Sequence, residues 1–131
     1  MFDTRNLLRQ ALLLDAFASG TMGLAMTAAS GPIAGLLDLP MPFVLYIGIF
    51  LIAFALFLLA LTRQERPAPS LVWLVIVGNA GWVVASIAIL FTDLIAPNTL
   101  GAIVIVAQAA AVALFAELEF IGQRRRAAIA A

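Results

Sequence analysis

Apolar residues run along this chain in four long stretches, Ala11 to Ser30, Pro42 to Leu61, Ser70 to Phe91 and Asn98 to Ile121, separated by short polar or proline-bearing links. Each stretch matches the ~20 residues that carry an α-helix across the ~30 Å hydrocarbon layer of a bilayer. Prolines punctuate the pattern. Gly31-Pro32 is expected to end the first helix, Pro40 and Pro42 to start the second, Pro67 and Pro69 to precede the third, and Pro97 to precede the fourth, where Asn98 or Thr99 supplies a cap. Links this short bring consecutive helices back against one another. The pattern therefore predicts an all-α polytopic membrane protein, a single antiparallel bundle of four transmembrane helices over residues 1–131, with no room for a soluble domain. Both links on one side read Asp-Leu shortly before Pro, at Asp38-Leu39-Pro40 and Asp93-Leu94 to Pro97, which hints at two similar hairpins.

Composition agrees. With 65% hydrophobic residues and a mean hydropathy of +1.15 over 131 residues, the chain carries more apolar surface than one water-soluble core of this size could hide. Charge adds direction. All seven basic residues are arginines: Arg5 and Arg9 precede the first span, Arg63 and Arg66 lie between the second and third, and Arg124, Arg125 and Arg126 follow the fourth. The two other links hold no basic residue and only Asp38 and Asp93. Cytoplasmic loops collect Arg and Lys, so both termini are expected in the cytoplasm. Arg5 and Arg9 ahead of Ala11 to Leu14 and the small residues Ala25 to Ser30 imitate a cleaved signal peptide, but Asp15 interrupts the would-be apolar region and the stretch is long. Cys and His are both absent, which excludes disulfides, thiol chemistry, Cys or His metal sites and axial His ligation. No metal, cofactor or nucleic acid is expected; the expected partners are the lipid bilayer and either another membrane protein or further copies of this chain.

Polar residues inside the spans carry the chemical information, because an ionisable group at the centre of the hydrocarbon costs ~2.5–3.5 kcal/mol on insertion scales. They are Asp15 and Ser19 in the first span, Asn79 and Ser86 in the third, and Gln108, Glu117 and Glu119 in the fourth. Counting a ~1.5 Å rise per residue from the arginine-bearing ends at Ala11, Ser70 and Ile121 puts Asp15 and Glu117 ~6 Å deep, Glu119 ~3 Å, Asn79 ~13 Å and Gln108 ~20 Å. The polarity thus gathers in the cytoplasmic half, and the outer half is nearly dry. Asp15, Ser19, Asn79, Gln108 and Glu117 form the candidate polar site. Asp15 is expected either to hold helices in register through Arg9, Arg63, Arg66 or Asn79, or to bind a proton or cation together with Ser19 and Glu117. Glu117 and Glu119 lie about 200° apart around their helix, so only one can face such a site.

Five helix faces complete the picture. Asn79, Trp82, Ser86 and Ile89 share one face of the third span, beside the small residues Gly78, Gly81 and Ala85; the first span has a matching small face at Ala16, Gly20, Gly23 and Thr27. Small residues let membrane helices approach closely, so the first and third spans are expected to meet through these faces, with a dimer interface as the rival use. The second span carries Phe43, Tyr46, Phe50, Phe54 and Phe57 on one stripe, suited to core packing, lipid contact or docking of an apolar partner, with Tyr46 near the outer interface. The fourth offers alanines 102, 109, 113 and 116, into which such aromatics could fit.

The run Leu13-Leu14-Asp15-Ala16 to Ser19-Gly20 and Gly23, then Gly35-Leu36-Leu37 to Leu39-Pro40, Gly78-Asn79 to Trp82, and Phe115-Ala116-Glu117-Leu118 to Gly122 and Arg124-Arg125 resembles a family of small four-span bacterial inner-membrane proteins. The resemblance implies a bacterial inner-membrane location and brings no activity, ligand or catalytic residue. In size and span count the chain is also similar to small multidrug resistance transporters, but it lacks their pattern around the membrane-embedded Glu of the first helix. Without a nucleophile and base set, no enzymatic activity is expected. The expected function is that of a structural or accessory subunit of a larger membrane assembly, the alternative being a small homo-oligomeric proton- or cation-coupled transporter or channel that uses Asp15.

Overall fold

A computed structural model of the chain describes residues 6–130 as five α-helices, with no strand among the described residues. They are α1 (Leu7–Ala28), α2 (Ser30–Leu37), α3 (Met41–Arg63), α4 (Pro69–Ile89) and α5 (Thr99–Ala130). Four are long and apolar enough to cross a membrane: α1, α3, α4 and α5 from Thr99 to Ile129. This is a helical membrane protein. Arg5, one of the arginines used to orient the chain, lies outside the described residues.

The helices begin and end largely where the punctuation places them. Pro40 stands at the N-cap of α3, and Pro42 occupies its first turn. Pro69 opens α4, where a missing N–H leaves nothing unpaired. Asn98 caps α5 by accepting a bond from the Gly101 N–H at 2.8 Å. The same residue also ties this end of the bundle together, since its Nδ2 donates to the Leu36 carbonyl at 2.9 Å and its N–H to that of Leu37 at 3.2 Å.

Three expectations need correction. Gly31-Pro32 does not end in a loop. The break falls at Ala29, and Pro32 sits in the first turn of α2, where proline is tolerated. α2 then stops at Asp38, which adopts the left-handed conformation (φ 57°) open to Asp, while the Leu39 N–H closes on the Ala34 carbonyl. The second link, by contrast, forms no helix, so the Asp-Leu likeness of the two links does not extend to their structure. The fourth span also does not stop at Ile121. α5 runs on through the arginine cluster, where Arg124 lies over the Phe120 ring at 5.6 Å and Arg126 donates to the Pro67 carbonyl at 2.7 Å.

α1 is the hub of the bundle, packing chiefly against α3 and also along α5, while α4 packs on α5. Near the arginine-bearing end, Leu8, Leu12 and Ala16 of α1, Leu58 and Leu61 of α3, and Val72, Val75 and Ile76 of α4 form the buried core. Large residues such as Phe17, Leu24, Leu74 and Val84 face outward, as expected where lipid is the solvent. With no hydrophobic effect separating lipid from protein, close backbone approach and dispersion hold such helices together. α1 and α3 illustrate it. A Cβ placed on Gly23 would stand 2.8 Å from the Gly48 carbonyl oxygen, and one on Gly48 would stand 2.7 Å from Thr27 Oγ1.

The expected seam between the first and third spans does not form. No Cα of α1 comes within 8 Å of one in α4. The small face of α1 is taken by α3, where Gly20 meets Ala55. Gly78 and Gly81 have nothing within 4 Å of an added Cβ, and with Ala85 they are exposed. α3 and α4 likewise keep their backbones more than 8 Å apart, and aromatic side chains bridge the gap. Phe50 stacks on Trp82 with ring centroids 5.8 Å apart, and Phe54 stacks on Phe50 at 6.2 Å.

Candidate functional site

Because the α1 and α4 backbones stand apart, polar side chains meet in the space between them. Asp15 is the centre. It lies on the face of α1 that carries Leu8, Leu12 and Ala16 into the core, and it is 1% exposed. Ser19, one turn on, donates to Asp15 Oδ1 at 3.1 Å. From α4, on the stripe continued from Val72, Val75 and Ile76, Asn79 donates through Nδ2 to Asp15 Oδ2 at 2.7 Å. The same nitrogen donates to Glu119 Oε1 of α5 at 2.9 Å. One amide group thus uses both of its hydrogens on two carboxyl groups from two different helices. Glu119 is fully buried, and its second oxygen, Oε2, has no hydrogen-bond partner.

No arginine supports either acid among the described residues. Arg9 directs its guanidinium to the Thr62 carbonyl, and Arg126 directs one to Pro67. Arg63 and Arg66 are exposed at the end of the bundle. Two carboxyl groups therefore share one neutral donor in a region closed to water. Like charges this close in a low-dielectric setting are not both tolerated, so the arrangement is suited to holding one proton between two acids, or to receiving one cation.

Of the expected site residues, Asp15, Ser19 and Asn79 come together as a cluster. Glu117 does not join them. It is exposed on the opposite face of α5, and Glu119 takes the inward position. The depth estimate that favoured Glu117 counted from Ile121, whereas α5 continues past that residue. A better signal was present. Gln108, Val112, Phe115, Glu119, Gly122 and Arg126 follow spacings of 4, 3, 4, 3 and 4, a single helix stripe. Its polar members all bond to α4 or the link before it, and at Gly122 an added Cβ would stand 2.7 Å from the Leu8 backbone of α1.

Gln108 stands apart from the acids. Its Oε1 accepts from Trp82 Nε1 at 2.8 Å, and its Nε2 donates to the Ile105 carbonyl of its own helix at 2.9 Å. This pair borders a recess in the bundle. A partly open cavity of about 270 Å³, lined by residues of all five helices and almost wholly apolar, occupies the half of the protein away from the arginines. A second cavity of about 80 Å³ lies between it and the acid cluster, with Phe50, Phe54 and Trp82 as walls and Ser19 and Asn79 as its polar side. Leu51 and Trp82 line both cavities. The aromatic stripe of α3 is therefore divided in use. Phe43 lines the large chamber, Phe50 and Phe54 line the small one, Phe57 packs on the core, and Tyr46 is 69% exposed.

No protein family, curated protein or solved structure matches the chain.

Proposed function

We propose that this chain is a small membrane transporter whose Asp15–Asn79–Glu119 cluster binds and releases a proton as its coupling step. One observation carries the reading: two buried carboxyl groups from different helices share the amide of Asn79, with no arginine at either among the described residues. Ionisable groups inside a membrane are costly and mark sites that something uses. The dry half of the bundle offers no polar route beyond the cluster, which favours a coupled solute over a free proton leak.

In this reading the four long helices form an antiparallel bundle, with both termini in the cytoplasm and the cluster in the cytoplasmic half of a bacterial inner membrane. The support is the partition of arginines, together with pairings along α1 and α3: Arg9 at the start of α1 meets Thr62 near the end of α3, and Gly23, further along, meets Gly48. A second reading, an accessory subunit docked on a larger assembly, draws on the exposed small face of Gly78, Gly81 and Ala85. The same face could join two copies of this chain.

The test is modification by dicyclohexylcarbodiimide, an apolar reagent that adds to protonated carboxyl groups, with peptide mass spectrometry as readout. Labelling of Asp15 or Glu119 that declines as pH rises, with Glu117 labelled no more than Glu65, is the expected result. Absence of labelling at both buried acids at every pH would contradict proton exchange.

A further inference from the structure

Resting on the proton-exchange reading above, we propose that Gln123 is the relay residue through which Glu119 exchanges its proton with the arginine-bearing side, by holding a water molecule between the buried carboxyl group and solvent. The two residues share one stripe of α5, four residues and ~6 Å of rise apart. Helical side chains lean toward the N-terminus of their helix, so Gln123 leans back over the turn that carries Glu119. Both are closed off, at 3% and 0% exposure, and each keeps one buried oxygen, Gln123 Oε1 and Glu119 Oε2, without a partner among the described residues. Two acceptors cannot satisfy each other, whereas a water molecule brings the two hydrogens they lack. The row continues outward. Arg126, the next member of the stripe, gives Nη1 to the Pro67 carbonyl but has a buried Nη2 without a partner. Of the five buried side-chain polar atoms in this condition, four lie in the arginine-bearing half, on Glu119, Gln123, Arg126 and Gln10 of α1.

Other ways out of the cluster are dry. Leu8, Leu12, Leu58, Val72 and Val75 fill the core, and the two cavities are lined by neither buried acid and are almost wholly apolar, surroundings that bar a proton by dewetting. Few charges face Glu119. α1 brings Asp15, and α4 brings only the neutral amide of Asn79; Arg9 of α1 is turned to the Thr62 carbonyl, and Glu117, Arg124 and Arg125 of α5 are exposed. With Glu119 ionised, one water donates to both Oε2 and Gln123 Oε1; with Glu119 protonated, its hydroxyl donates to that water, which still donates to Gln123. In the transfer the Oε2–H bond breaks as an O–H bond forms on the water, and the water passes one of its own protons outward. The amide accepts a hydrogen bond throughout and gains no proton.

The test is hydrogen–deuterium exchange at the acid itself. The full chain in a lipid film is moved from H2O to D2O at a pH where the carboxyl group is protonated, and the downward shift of its infrared carbonyl band on deuteration is followed in time. Gln123→Met, which keeps the length of the side chain and removes the accepting oxygen, should slow the shift about tenfold, the worth of one hydrogen bond. Gln123→Leu is the second apolar variant should Gln123→Met fold poorly. Gln123→Asn keeps an amide and should exchange closer to the wild-type rate than to that of Gln123→Met, a rescue that a merely space-filling role would not produce. Gln108→Met, in the dry half, should leave the rate unchanged. Exchange as fast in both apolar variants as in wild type, equal slowing by Gln108→Met, or a wild-type band still unshifted after the exposed amides have exchanged would overturn the relay. Absence of a protonated-carboxyl band at every pH would refute the proton site itself, so the two readings fail separately.

Discussion

Adding one methyl group at four glycines separates the helix contacts that hold this bundle from those it leaves free. At Gly23 a new Cβ would lie 2.8 Å from the Gly48 carbonyl oxygen and 2.9 Å from the Ile52 nitrogen; at Gly48 it would lie 2.7 Å from Thr27 Oγ1 and 2.9 Å from the Thr27 nitrogen. Backbone atoms cannot rotate aside, so α1 and α3 must move apart, and overpacking of this kind costs ~1–3 kcal/mol. Replacing glycine by alanine in a helix returns at most ~1 kcal/mol through propensity. Gly23→Ala and Gly48→Ala should therefore destabilise the protein by about 1–2 kcal/mol after both effects. At Gly78 and Gly81 nothing lies within 4 Å of the new methyl group. Only the propensity gain applies there, and both variants should be neutral or stabilised by up to ~1 kcal/mol. Reversible unfolding in mixed micelles with increasing sodium dodecyl sulfate, followed by the fluorescence of Trp73 and Trp82, resolves differences of this size. Equal midpoints for all four variants would refute the reasoning, and so would greater loss at Gly78 than at Gly23, because it would restore a seam through α4.

Asn98→Ala removes the cap on Gly101 and the bond to the Leu36 carbonyl, and should cost ~1–2 kcal/mol in the same assay. Asn98→Asp keeps the accepting oxygen and should fall between alanine and wild type. For orientation, single cysteines at Gln64 and Ala127 should be shielded from a membrane-impermeant maleimide in intact cells, and cysteines at Asp38 and Asn98 should react; labelling at Gln64 would reverse the proposed topology.

The four spans were legible because lipid imposes a simple rule on the chain: a long apolar run needs no specific partner to be a helix. Prolines then fixed most starts, as at Met41, Pro69 and Thr99. Helix pairing was harder to read. Gly20, Gly23, Gly78 and Gly81 look alike in sequence, and choosing among their partners required the register of the α1–α3 pair, in which Gly23 falls opposite the lone glycine of α3, Gly48. Asp15, Ser19 and Asn79 were legible as a cluster because polar groups in hydrocarbon seek one another. Glu119 was missed for Glu117 because depth was measured from a helix end that the structure places further along the chain. Helix phase, through the stripe from Gln108 to Arg126, was the sounder guide. The chambers had no signature at all, since they arise from the separation of α3 and α4, a property of packing that no single segment encodes.

The decisive measurement is infrared spectroscopy of the reconstituted protein in the carbonyl-stretch region of protonated carboxyl groups, recorded while pH is varied. Wild type should show a protonated-carboxyl band that disappears reversibly as pH rises. The band should be lost or displaced in Asp15→Asn and Glu119→Gln, and unchanged in Glu117→Gln, with the fold of each variant intact. A band that stays constant with pH in wild type, or one altered as much by Glu117→Gln as by Glu119→Gln, would contradict an exchangeable proton at the Asp15–Asn79–Glu119 cluster.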